Sequence, residues 1–240
     1  NIICYNTYMS LDALKQNFKG QIITESATLH KYSRDASIFE IQPSTIVVPD
    51  DAKDIEELVK YVNAEKSSSP SLSLTVRAGG TDMTGGSIND SIVIDVANLN
   101  QITNLSKTEV TTGSGVFFRD LEPKLVANNV IMPAYPSSKA WCAVGGMASN
   151  NCGGEKTLKY GQAKNYVKEL EVIFADGKKY LVKPLTESEL KQKIAQGDYE
   201  GNLYKQVYEL IQNNYQAITA AKPSTSKNSA GYFLWDVWDG

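Results

Sequence analysis

Histidine is almost absent from these 240 residues: His30 is the only one. No metal motif that needs two histidines can be built from it. A Ser-His-Asp triad could use only this residue, which sits in a polar stretch of a chain without a nucleophile elbow. His30 therefore reads as a loop or surface residue. Cysteine is scarce as well. Cys4, Cys142 and Cys152 are odd in number and form no Cys-x-x-Cys pair. Neither a disulfide framework nor a zinc site is expected, and a reducing cytoplasm is the expected setting. Long apolar runs are missing: stretches such as Ser91 to Val96 are far too short to cross a bilayer. No charged segment followed by an apolar one opens the chain, so no signal peptide is read, although the chain could begin inside a longer protein. No charge sign dominates either. With 24 basic and 27 acidic residues the net charge is −3. That leaves no electrostatic footprint for nucleic acid or an anionic membrane. Peripheral membrane association is left open; a span is not. A Gly-x-x-x-x-Gly-Lys-Ser/Thr motif is absent too, which excludes a P-loop nucleotidase.

What is present is an ordinary globular balance, 42% hydrophobic and 21% charged, and an unusual placement of glycine. One stretch is Arg77-Ala78-Gly79-Gly80-Thr81-Asp82-Met83-Thr84-Gly85-Gly86. A second, about sixty residues on, is Val144-Gly145-Gly146-Met147-Ala148-Ser149-Asn150-Asn151-Cys152-Gly153-Gly154. Without a Cβ, successive backbone N–H groups can converge on one anion, and that anion can approach the main chain closely. Either stretch alone reads as a tight turn. Together they suggest one extended, phosphate-bearing ligand. A rival, Gly113-Ser114-Gly115, resembles a dinucleotide fingerprint, but Phe118 occupies the third glycine position and would block both packing and ligand.

The periodicity predicts a short helix over Ser10 to Phe18 and a strand over Ser44 to Val48. A helix capped by Asp50 or Asp51 follows, with Ile55, Leu58, Val59 and Val62 on one face. Leu72 to Arg77 and Ser91 to Val96 read as strands, the latter buried on both faces. A strand over Glu109 to Thr112, a helix from Phe117 to Asn128 and a loop from Pro133 to Ser138 precede the second glycine stretch. Val167 to Ala175 and Lys178 to Val182 form a hairpin around Asp176-Gly177. Thr186 to Glu189 opens a helix with a capping box, and a single longer helix runs from about Asn202 to Ala220. Strands and helices are mixed without strict alternation, which predicts an α+β fold. A division near residue 110 would leave one glycine stretch in each of two lobes.

These residues carry a family resemblance. The chain resembles the FAD-binding domain of the vanillyl-alcohol oxidase / p-cresol methylhydroxylase type. Within it, the chain is most similar to FAD-linked D-lactate, glycolate and D-2-hydroxyglutarate dehydrogenases. Arg77-Ala78-Gly79-Gly80-Thr81 resembles the family's pyrophosphate loop. Pro136-Ser137-Ser138 and Val144 to Gly154 resemble its second flavin loop. Tyr160-Gly161, Leu170-Glu171-Val172-Ile173 with Asp176-Gly177, and Lys227-Asn228-Ser229-Ala230-Gly231-Tyr232 follow in order.

The resemblance implies two lobes with FAD between them. Residues 1–40 would be an N-terminal extension and 41–240 the FAD domain, with lobes of about 41–110 and 111–240. Ala78, Gly79, Gly80, Thr81, Asp82 and Met83 would hold the pyrophosphate through their N–H groups. Ser138, Ala143, Gly146, Ser149 and Gly153 would line the flavin and ribityl region, and Ile173 would touch the cofactor. Arg77, Pro136, Gly145, Asn151, Gly154 and Gly161 complete the expected cofactor set. Thr81 stands where some members carry a flavin-linked histidine, and Cys142 sits too close to Gly145 for the second attachment. Non-covalent FAD is therefore expected. The implied chemistry is oxidation of a 2-hydroxy acid such as D-lactate or glycolate, with hydride passing to flavin N5. An alcohol, sugar or aldonolactone substrate is the alternative, as is a flavin-binding module without turnover. No catalytic residue or metal ligand is identified. The expected partners are a small-molecule substrate and a C-terminal substrate domain beyond Gly240.

Overall fold

A computed structural model describes residues 12–225, 228–229 and 232–239. Cys4, Ser10 and Leu11, and Lys227, Ala230 and Gly231 of the Lys-Asn-x-x-Gly-Tyr segment, lie outside the described residues. The fold is α+β. Packing groups the residues into two compact units. One takes the chain up to Ile131, with Ser138–Gly146 and Ile173–Lys179. The other holds Met132–Ser137, Met147–Val172 and the chain from Tyr180 on. This grouping differs from a single cut near residue 110. After Ile131 the chain returns twice to the first unit, because Gly145 and the turn after Ile173 both pack on first-unit elements.

The first unit opens with α1 (Asp12–Lys15), β1 (Gln21–Ile23), α2 (Ser26–Tyr32), β2 (Thr45–Val48) and α3 (Ala52–Glu65). It continues with β3 (Leu74–Arg77), β4 (Ile92–Asp95), β5 (Ile102–Thr103), β6 (Thr111–Thr112) and α4 (Phe118–Ala127). Four strands make a sheet in the order β1-β2-β4-β3. β4 runs parallel to both neighbours, pairing Ile92 with Thr45 and with Leu74, and Asp95 with Arg77. β1 joins antiparallel, with Gln21 opposite Val48. Alternate residues of a strand point to opposite faces. Val47, Ile92 and Ile94 accordingly pack with Leu14, Phe18, Leu58 and Val62. Ile46 and Val48 pack with Leu29 of α2. Both faces of β2 are covered, as a parallel strand requires.

Asp51 caps α3 by accepting from Lys53 and Asp54 N–H. Asp54 does more. Its carboxylate is 1% exposed and accepts from the Lys19, Gly20 and Asp50 N–H groups at 2.8, 2.9 and 2.9 Å. It welds the turn after α1 to the start of α3. Sequence periodicity had no sign of α2, whose polar stretch gains its helix from Glu25, which accepts from Ala27 and Thr28 N–H. His30 lies on that helix with an exposed side chain 3.9 Å from Glu40.

Beyond α4 come α5 (Val144–Ser149), α6 (Thr157–Tyr160), β7 (Leu170–Ile173) and β8 (Lys179–Val182). Then follow α7 (Glu187–Ile194), α8 (Tyr199–Asn213) and α9 (Tyr215–Ala220). The capping box of α7 is formed, with Thr186 and Glu189 exchanging hydrogen bonds. The single helix expected over 202–220 starts earlier and is broken. Asp198 caps α8 by accepting from Gly201 N–H, and Asn214, outside helical geometry, separates α8 from α9.

Candidate functional site

β3 delivers the first glycine stretch directly from the sheet. Gly80 and Gly85 have φ of +62° and +87°, the left-handed region that glycine occupies without penalty. Gly79 is needed for a different reason. A Cβ there would overlap the Trp141 carbonyl oxygen and lie 3.2 Å from Cys142 Cα and 3.3 Å from Ala143 N. The first loop therefore rests on the main chain of 141–143. Ser138 Oγ reaches Thr81 Oγ1 at 3.5 Å from the same side. The first glycine loop thus meets, inside the first unit, the segment that leads into the second glycine stretch.

The second stretch is not all loop. Val144–Ser149 is helical, a departure from the sequence reading, and its Met147 is buried. Its start is tied to the Gly113–Val116 turn. Val144 N–H donates to Val116 O and Gly145 N–H to Ser114 O, both at 2.9 Å. A Cβ on Gly145 would lie 2.7 Å from Ser114 Cβ, and Cβ atoms on Gly113 and Gly115 would overlap the Leu99 and Val96 carbonyls. The rival glycine pair is a packing device. Gly146 differs from all of these: a Cβ there would meet nothing within 4 Å. Neither packing nor a positive φ accounts for it.

The charges of the first loop turn inward. Burial pushes the Asp82 carboxyl up, but hydrogen bonds from Gly86 N–H, Thr84 Oγ1 and Thr84 N–H outweigh it and hold the group below its usual range. Asp82 closes the 82–86 turn. The Arg77 guanidinium donates to Arg34 O at 2.8 Å and Tyr32 O at 3.4 Å and sits 5.1 Å from the centre of the Tyr32 ring. The Tyr32 hydroxyl donates to Asp95. Burial and that carboxylate push the phenol up to about 12. Met83 is 78% exposed, and the Ala143 methyl is packed inside. The Cys142 thiol is 4% exposed, and burial pushes it up, which disfavours the nucleophilic thiolate.

In the second unit, Pro136 follows Tyr135, whose carbonyl a Cβ on Gly154 would overlap. Gly154 N–H donates to Thr157 Oγ1 at 2.6 Å, and a Cβ on Gly153 would strike the same hydroxyl. Asn151 adopts φ of 44°, accepts from Lys164 N–H through its side chain and from Gln162 through its carbonyl. Gly161 has φ of +75°, with Asn165 packed where a Cβ would sit. Ser149 is exposed.

Of the expected residues, the first unit brings together Arg77 to Asp82, Ser138, Ala143 and Gly145. Ile173 is not among them. It lines a hollow with Val59, Val62, Leu72 and Leu74, none of them in a glycine stretch. The Asn63 amide holds Ala175 O there, so the hairpin end is fixed on α3. Tyr32, Asp95 and Ser114 are contributors that sequence reasoning missed. Only the strand register, which sets Asp95 opposite Arg77, points to any of them.

A family model described as FAD binding domain matches residues 43–181. The chain is 27% identical over 233 residues to D-2-hydroxyglutarate dehydrogenase of Pseudomonas putida, covering 95% of this chain and 23% of that protein. It is 29% identical over 136 residues to D-lactate dehydrogenase of Archaeoglobus fulgidus, covering 55% of this chain and 29% of that one. Among solved structures, 6-hydroxy-D-nicotine oxidase from Arthrobacter nicotinovorans superposes with a TM-score of 0.62 at 22% identity, covering 72% and 38% of the two chains. That last likeness is one of fold. The chain spans less than a third of the length of these two curated relatives.

Proposed function

The chain belongs to the FAD binding domain family, and on that premise we propose that it is the flavin-holding part of an oxidoreductase acting on a 2-hydroxy acid. The observation that carries the reading is the seating of Gly79 on the 141–143 main chain, which sets the first glycine loop against the segment that leads into the second. FAD fits that junction. Gly80 supplies a left-handed turn where backbone N–H groups can converge, and Gly146 leaves open space that a methyl would occupy. Backbone N–H groups of Ala78 to Met83 hold the pyrophosphate. Ser138, Gly145 and Gly146 offer the flavin a hydroxyl and bare backbone, while Ala143 contributes main chain alone. In the second unit, Pro136, Ser149, Asn151, Gly153, Gly154 and Gly161 are proposed as cofactor contacts on their own account, and packing already explains most of those glycines. Bound FAD supplies the two-electron acceptor for hydride from the substrate carbon.

Two observations favour non-covalent attachment. Thr81 has no nucleophile suited to the flavin, and the Cys142 thiol is buried and neutral. Support for a 2-hydroxy acid comes from the relatives, whose names specify D-2-hydroxyglutarate and D-lactate. An alcohol or sugar substrate has support from fold likeness alone and stands second. Cys142 and Cys152, both buried and outside any disulfide, suit a reducing compartment. Among the described residues no helix is long and apolar enough to cross a membrane.

The test is direct. The purified chain titrated with FAD is expected to bind it, and acid precipitation is expected to leave the flavin in solution. Flavin retained on the precipitate would refute the non-covalent reading; no binding would refute the cofactor site. Whole protein assayed with a dye acceptor is expected to turn over D-lactate or D-2-hydroxyglutarate and to ignore sugars.

A further inference from the structure

The matched family region begins at residue 43. The segment before it, residues 26–41, nonetheless grips the first glycine loop at both ends. At the near end, Arg77 Nη2 and Cζ lie 2.6 and 2.8 Å from where a Gly80 Cβ would stand. The same guanidinium donates to the Tyr32 and Arg34 carbonyls and faces the Tyr32 ring. Tyr32 in turn is held by Asp95, the strand partner of Arg77. Those contacts close a ring from the sheet through α2 and back to the loop. At the far end, Asp35 accepts from Ser87 Oγ at 3.0 Å. The Phe39 ring comes within 3.0 Å of where a Gly85 Cβ would be. The segment is itself closed by the Arg34–Glu40 ion pair and by Ile41 N–H donating to Ser33 O.

We propose that residues 26–41 form a clamp that shapes the first glycine loop before the ligand arrives, with Tyr32 and Arg77 as positioning residues that do not themselves touch it. The inference rests on the reading of that loop as the FAD pyrophosphate site. Its physical basis is preorganisation. A loop of four glycines is costly to order on binding, and one already held at both ends has less entropy left to lose. Arg77 is suited to the task because its planar fork reaches two carbonyls and an aromatic face at once, which a lysine cannot do.

The test compares wild type, Tyr32→Phe, Arg77→Lys and, as a stability control, Val62→Ala in the core of the same unit. For each, FAD affinity, thermal midpoint without FAD, and amide exchange over residues 79–86 are measured. Arg77→Lys is expected to weaken FAD by about tenfold or more, the scale of a lost hydrogen bond to a charged group. Tyr32→Phe is expected to weaken it less, and both are expected to speed exchange across the loop. Val62→Ala is expected to lower the midpoint with affinity and loop exchange unchanged. Wild-type affinity in both clamp variants would overturn the proposal. So would an equal loss of affinity in Val62→Ala at matched thermal midpoint. If wild type binds no FAD, the site reading fails on its own, and the clamp is judged by loop exchange: unchanged exchange in the variants overturns it.

Discussion

At the scale of single residues, the glycines divide by what their missing Cβ makes room for. Gly79, Gly113, Gly115, Gly145 and Gly154 admit neighbouring backbone. Gly80, Gly85 and Gly161 supply a positive φ. Gly146 does neither. Two substitutions separate these roles. Gly80→Ala is expected to cost about 1–2 kcal/mol of folding stability from the left-handed backbone alone, read as a lower urea midpoint. Gly146→Ala is expected to leave stability equal or raise it by up to about 1 kcal/mol, since alanine favours a helix interior. The same change is expected to weaken FAD binding. Loss of stability in Gly146→Ala with affinity intact would assign that glycine to packing. The sequence made the glycine positions legible, but not this division, because a glycine facing a ligand and one facing a carbonyl look alike in one dimension. Ile173 shows the same limit: an apolar residue on a hairpin strand reads identically whether it faces a cofactor or only the hollow it lines beside α3.

At the scale of elements, legibility followed the strength of local periodicity. α3, β3, β4 and α7 lie close to where alternation, helical spacing and capping residues put them. α2 was not legible, because its seven residues have only Leu29 buried and its start depends on the Glu25 side chain. α5 was hidden by its two glycines, which disfavour a helix that the buried Met147 and the Ser114 contact impose. Asp54 gave no signal in the helical spacing. Its three backbone partners, two of them from the distant turn after α1, make it a joint between elements. Asp54→Ala would strand the Lys19, Gly20 and Asp50 N–H groups. It is expected to destabilise the first unit by at least about 3 kcal/mol, measured by chemical unfolding. Asp51→Ala, which removes a helix cap and a solvent-exposed pairing with Lys19, is expected to cost about 1 kcal/mol. Equal losses in the two variants would remove the distinction between cap and joint.

At the scale of the molecule, the α+β class was legible from the mixture of strands and helices, whereas the sheet order was not. β4 lies between β2 and β3 although it follows both in the chain. That position has a kinetic meaning. β2 and β3 have no ladder with each other and must wait for β4, so the sheet closes only through pairings distant in sequence, the slow step in folds of this type. The first glycine stretch is the connection between β3 and β4, so its shape is completed at that same late moment. The ligand surface is then a property of the finished sheet and is missing from its precursors. FAD is accordingly expected to slow unfolding in stopped-flow experiments while leaving the refolding rate unchanged. Accelerated refolding with added FAD would mean that the loop takes shape before the sheet does. In this fold, cofactor binding certifies that assembly is complete and gives it no assistance.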